Sequence, residues 1–134
     1  MDKELVFIGH IRSAITDLAT APKMEDEPGA VRAYIDLDPT YFDGLDSMTP
    51  GSELELFTWF HKADRNVLKV HPRGNMDRPM RGVFTTRSPA RPNPIGLHRV
   101  TLVEIKGTTL SVEPLEAIDG TPVIDIKPKP KDIK

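Results

Sequence analysis

The sequence contains no cysteine. That excludes a disulfide framework, a thiolate nucleophile and a cysteine-held metal, and it fits a reducing cytoplasm. No apolar run approaches the ~20 residues of a membrane-spanning helix. The opening stretch M-D-K-E-L-V-F-I-G has no long apolar segment behind a basic patch, so neither a signal peptide nor a membrane attachment is expected. There is no G-x-G-x-x-G and no phosphate loop of the P-loop type, which removes the doubly wound cofactor folds. His10, His61, His71 and His98 show no ligand-like spacing, and no metal is expected. Long helices have little room, because thirteen prolines and nine glycines interrupt the chain.

What is present suits one small domain. The 134 residues suffice for a single core and are few for two, so residues 1–134 read as one domain. Hydrophobic residues make up 38% and charged residues 28%, the balance of an ordinary globular protein. The net charge of −2 argues against indiscriminate nucleic-acid binding, but the charge is unevenly placed. Between Lys62 and Arg99, nine basic side chains stand against two acidic ones, a local +7; the remainder carries nine against eighteen, or −9. A basic middle in an acidic frame points to a localised anion-facing surface.

The apolar pattern is one of short strands. Residues 5–11 (L-V-F-I-G-H-I) read as a buried first strand, with Gly9 as a bulge or a point of close approach. Residues 17–28 read as a loop. Residues 31–37 alternate, with Val31, Ala33, Ile35 and Leu37 on one face. Residues 39–45 suit a short helical turn. Residues 54–61 form an aromatic-rich central strand ending in His61. Residues 83–86 and 95–103 are further strands, the second with a slip in its alternation that suggests a bulge. Lys106-Gly107 turns back into a strand at 109–112, 115–118 is short and apolar, and Asp119-Gly120 turns into a last strand at 121–126. The tail from about residue 127 is basic, proline-spaced and extended. Seven or eight short strands with little helix predict a mainly β fold, a small β-barrel.

The densest chemistry lies at 78–96, R-P-M-R-G-V-F-T-T-R-S-P-A-R-P-N-P-I-G. Pro89, Pro92 and Pro94 fix φ and push Ser88, Arg91 and Asn93 toward extended geometry. Arg78, Arg81, Arg87, Arg91 and Asn93 are displayed on this stiff scaffold, which suits an anionic ligand or a base edge. A second corner, D-G-T-P at 119–122, offers backbone donors and one carboxylate.

Four stretches together resemble the TsaA-like (TrmO-type) family: F-I-G-H-I-R-S at 7–13, L-F-T-W-F-H at 56–61, G-V-F-T-T-R-S-P-A-R-P-N-P-I-G-L at 82–97 and I-D-G-T-P-V-I-D-I-K-P at 118–128. The resemblance runs over nearly the whole chain, in a short single-domain form. It implies a β-barrel acting as a homodimer, with S-adenosylmethionine near the subunit interface. It implies a methyltransferase whose acceptor is the exocyclic nitrogen of N6-threonylcarbamoyladenosine in tRNA, next to the anticodon. By matching motif, the cofactor-binding positions would be Pro22, Lys23 and Met24; His61 and Lys62; Arg87; Leu97; and Asp119, Gly120, Thr121 and Pro122. Arg91 and Asn93 are the candidates for positioning the acceptor. Family members often carry P-R-Q where this chain has Pro22-Lys23-Met24, and glutamine where it has Lys62. Longer bacterial members have an additional C-terminal region.

Three functions compete at this point: a tRNA methyltransferase, a methyltransferase of the same fold acting on a small molecule, and a non-catalytic S-adenosylmethionine-binding domain. Salt-dependent tRNA binding separates the first from the others, because phosphate contacts weaken steeply with ionic strength.

Overall fold

The computed structural model describes residues 4–16 and 31–130. Among them, period-two burial builds six long-range strands. β1 spans Gly9–Arg12, β2 Val31–Leu37 and β3 Glu53–Trp59. The short β4 (Lys69–Val70) and β5 (Arg81–Gly82) pair with each other. β6 spans Ile95–Lys106, β7 Thr109–Leu115 and β8 Pro122–Pro128. The six pair antiparallel in the order β1-β2-β7-β6-β3-β8, and β8 returns to β1 to close a barrel. Closure removes the exposed edges that an open sheet would leave.

The inward face is apolar. Ile11, Ile35, Leu56, Leu102, Leu110 and Val123, one from each barrel strand, are at most 1% exposed. Each such side chain contributes roughly 1.5–3 kcal/mol by leaving water. At Gly9 the strands approach so closely that a Cβ would lie 2.5 Å from the Asp36 carbonyl oxygen, on β2 backbone that cannot swing aside. The β6–β7 turn places Gly107 at φ 61°, where a side chain is disfavoured.

Several boundaries differ from the sequence reading, each for a local reason. Leu5, Val6 and Phe7 are exposed rather than buried, and the β1 ladder starts only at Gly9. Residues 83–85 form a 3-10 turn, not a strand. The hydroxyls of Thr85 and Thr86 bond back to the carbonyls of Gly82 and Val83, which favours a turn despite β-branched composition. β3 stops at Trp59, leaving His61 in the following turn. Leu115 closes β7, so no separate strand forms at 115–118. β8 runs to Pro128, which takes residues 127 and 128 out of the tail. The bulge in β6 is present, between Leu102 and Glu104. The turn at Pro39–Leu45 is also present, capped by Asp38 accepting from the Thr40 N–H.

β1 and β2 are tied outside the barrel by Arg12 Nε donating to Asp36 Oδ2 at 2.9 Å. That hydrogen bond is the main cause holding the Asp36 carboxyl below its usual pKa, against the opposing pull of partial burial. A depressed carboxyl pKa stabilises the fold above the unfolded value and loses that contribution as pH falls through the folded value. Both side chains are about half exposed, so the share is below about 1 kcal/mol. Urea melts from pH 7 down to pH 2 are expected to show this acid-side loss, and Arg12→Ala is expected to flatten it.

Candidate functional site

The proline loop is held from inside by one arginine. Arg91 Nη1 donates to the carbonyls of Thr86 at 3.1 Å and Ser88 at 3.0 Å, and Nη2 donates to Val83 at 3.1 Å. Its backbone N–H reaches the Asp64 carbonyl at 3.1 Å. A second arginine fastens the far end: Arg65 Nε donates to the Pro92 carbonyl at 2.8 Å and Nη2 to Asn93 Oδ1 at 3.3 Å, while its guanidinium lies over the Trp59 ring. Arg87 is different. It is exposed, and no described residue bonds to it, so its five donors are available to a ligand.

Behind the loop lies a buried polar chain that crosses the barrel end. His98, on the inward face of β6, is 1% exposed. Its Nδ1 lies 2.6 Å from Glu116 Oε1 and its Nε2 2.8 Å from Thr58 Oγ1 on β3. With its ring proton on Nδ1, the imidazole donates to Glu116 and its Nε2 accepts from the Thr58 hydroxyl. The Phe60 ring covers His98 edge-on, with centroids 5.7 Å apart. Gly96 makes this possible: a Cβ there would run into the Phe60 ring and lie 2.5 Å from Thr58 Oγ1. Glu116 Oε2 is almost closed to solvent and has no hydrogen-bond partner among the described residues.

Two cavities open beside this chain. The larger, about 680 Å³, brings residues 85–89 of the loop against Glu116, Ala117, Ile118 and Thr121, and lies within the ~300–1,000 Å³ range of small-molecule sites. Its rim carries Lys62, Arg81 and Arg87. His61 is also there, with a pKa pushed below its ordinary value by partial burial first, then by the positive charge of Lys62 and by His10. With an ordinary value near 6.5, its ring is mainly neutral at pH 7. The smaller cavity, about 310 Å³, is bordered by Arg91, Asn93, Leu97 and His98. Phe60, Thr86, Arg87, Pro89 and Glu116 line both. Among the described residues, no helix is long and apolar enough to cross a membrane, and no group of three acidic or histidine residues could hold a metal ion.

The family model of the tRNA-methyltransferase O N-terminal domain matches residues 10–133. The chain belongs to this family. Among the curated relatives of this TrmO-family chain, a probable S-adenosyl-L-methionine-binding protein of Methanothermobacter thermautotrophicus is 44% identical, over 94% of this chain and 89% of the relative. An S-adenosyl-L-methionine-binding protein of Archaeoglobus fulgidus is 42% identical over 90% of this chain and 84% of the relative. The crystal structure of TrmO from P. aeruginosa superposes with a TM-score of 0.75 at 30% identity, covering all of this chain and 58% of that one. The chain thus spans little more than half the length of that solved TrmO.

Within the TrmO-family barrel, His61, Lys62, Arg87 and Thr121 are brought together on the larger cavity. Leu97 faces the smaller one, with Arg91 and Asn93. Asp119, Gly120 and Pro122 line neither. Asp119 Oδ1 accepts the Ser13 N–H at 3.0 Å, the Gly120 N–H donates to the Ile11 carbonyl, and Pro122 is buried at the start of β8. They hold the corner that presents Thr121. Pro22, Lys23 and Met24 lie outside the described residues. The sequence reading missed Glu116 and assigned no role to His98. The available signal was Glu116 itself, a lone acid between Leu115 and Ala117 in an apolar run.

Proposed function

We propose that this chain transfers the methyl group of S-adenosylmethionine to the exocyclic nitrogen of N6-threonylcarbamoyladenosine in tRNA, next to the anticodon. The observation that carries the reading is the meeting of the loop at 85–89 with the corner at 116–121 on one cavity of suitable size. Membership of the TrmO family and the names of the relatives support it. The residues present fit the cofactor. Arg87 supplies a guanidinium that no described residue engages for the cofactor carboxylate, and His61 offers a neutral ring rather than a charge against a sulfonium. Thr121 forms part of the buried wall, with its hydroxyl and N–H both donating to the Ile118 carbonyl. The cofactor supplies an electrophilic methyl group on sulfur.

The chain's own task is then alignment and exclusion of water, which can take several kcal/mol off the barrier. The smaller cavity takes the acceptor, bordered by Asn93 and by the loop that Arg91 braces. The basic rim at Lys62, Arg81 and Arg87 suits tRNA phosphates. A homodimer working in the cytoplasm belongs to the same proposal.

The test is transfer of labelled methyl from S-adenosylmethionine to bulk tRNA lacking the modification, in parallel with a metabolite extract. Label in tRNA, with binding that weakens as salt rises, supports the reading. Label only in the extract would move the activity to a small-molecule acceptor, and cofactor binding without transfer would make the chain a non-catalytic binder.

A further inference from the structure

Glu116 is 9% exposed, and only one of its carboxylate oxygens is used. Oε1 is held by His98, which is itself held by Thr58. Oε2 has no donor among the described residues and is almost closed to solvent. A buried carboxylate oxygen without a donor is destabilising, because the hydration it has lost is not replaced. Such a defect in an otherwise satisfied chain of hydrogen bonds calls for a ligand that brings the missing donor. The position says which ligand. Glu116 lines both cavities, so it stands where a cofactor in the larger would meet an acceptor in the smaller.

We infer that Glu116 is a catalytic residue whose Oε2 takes the proton from the nitrogen of the methyl acceptor, while His98 and Thr58 position the carboxylate. The inference rests on the methyl-transfer reading above. The acceptor nitrogen's electron pair forms the new N–CH₃ bond. The S–CH₃ bond breaks with its electrons going to sulfur, turning the sulfonium into a thioether. The N–H proton passes to Glu116 Oε2, so the positive charge of the cofactor and the negative charge of the carboxylate cancel. A carboxylate is a modest base, so the acceptor must carry a nitrogen made acidic by an adjacent carbonyl, as a ureido group does. A plain amine would leave the proton in place. His98 acts through Glu116 and is a positioning residue.

Glu116→Gln tests this closely. The amide oxygen can still accept from His98 Nδ1, while the side chain loses the ability to take a proton. Single-turnover transfer from labelled cofactor is expected to slow by about 10²–10⁴-fold. The calorimetric affinity for S-adenosylmethionine is expected to stay within about twofold, and the thermal melt to stay cooperative. Glu116→Ala, with formate added to fill the vacated space, is expected to recover part of the lost rate. A Glu116→Gln rate close to wild type overturns the inference. So does a loss confined to cofactor affinity with the saturated rate kept, which would make Glu116 a cofactor ligand. If wild type labels the extract but not tRNA, the tRNA reading fails while the same comparison on that acceptor still decides the role of Glu116. A wild type that binds cofactor and labels neither overturns both.

Discussion

Gly96→Ala is expected to destabilise the protein by about 3 kcal/mol, more than an exposed strand substitution would. The added methyl meets the Phe60 ring and comes within 2.5 Å of Thr58 Oγ1. Thr58 has no room to retreat, and Phe60, which borders both cavities, retreats only by giving up its contact with His98. Thr58 is fully buried and engaged with His98, and Phe60 is stacked edge-on against the same imidazole. Forcing a methylene-sized group into a filled core costs about 1–3 kcal/mol, and a lost Thr58–His98 hydrogen bond adds about 1 kcal/mol. For a chain of this length the melting temperature is expected to fall by roughly 10 °C. The consequence for the site follows from the same geometry. With Thr58 displaced, His98 loses one of its two anchors and Glu116 loses its fixed orientation. Transfer is therefore expected to drop further than the remaining folded fraction explains. Melting by circular dichroism, with a rate measured well below the transition, separates the two effects. A Gly96→Ala protein that melts within a degree or two of wild type would mean the contact is relieved cheaply and the close packing is not required.

Arg91→Ala is expected to reduce methyl transfer by about 10²-fold, through the loop rather than through a lost ligand contact. In the wild type one guanidinium gathers three carbonyls, at Val83, Thr86 and Ser88. Removing it leaves the 83–91 segment without its internal brace, and hydrogen bonds from a charged donor contribute about 1.5–3 kcal/mol each. Arg87 sits within that segment, so its aim at the cavity depends on Arg91. Cofactor affinity is expected to fall by about tenfold, the smaller part of a lost charge-assisted pair. Limited trypsin digestion supplies the structural readout, with faster cleavage at Arg87 in the variant. Arg91→Lys keeps the charge but not the fork and is expected to recover little. Transfer unchanged in Arg91→Ala would remove Arg91 from any part in the activity.

Both variants probe features that were unequally visible in the sequence. The alternation in β2 and the bulge in β6 could be read directly, because burial on one face leaves a period-two trace. The stiffness of the proline loop could also be read, since proline acts locally. What each arginine does there could not. Arg91 and Arg87 look alike four residues apart, yet one is spent on its own backbone and the other is exposed. That difference is set by where carbonyls converge in space. The run V-F-T-T carried a strand-like composition, but two threonine hydroxyls turned it into a 3-10 turn. Leu5, Val6 and Phe7 have the composition of core yet are exposed, because apolar composition reports propensity and not partner. Likewise, the Thr58–His98–Glu116 chain joins residues 40 and 18 positions apart. No local pattern announces it, and only the antiparallel register of β3 and β6, with Glu116 just past β7, brings the three together.

On the proposed reading, the loop at 85–89 and the corner at 116–121 enclose S-adenosylmethionine together. Hydrogen–deuterium exchange of the whole chain, with and without saturating S-adenosylmethionine, tests it most directly. The amides of Thr85–Ser88 and of Glu116–Thr121 are expected to slow together on addition of cofactor, and Arg87→Ala is expected to weaken both responses in step. Protection of only one segment, or protection confined to the opposite end of the barrel, would contradict the claim.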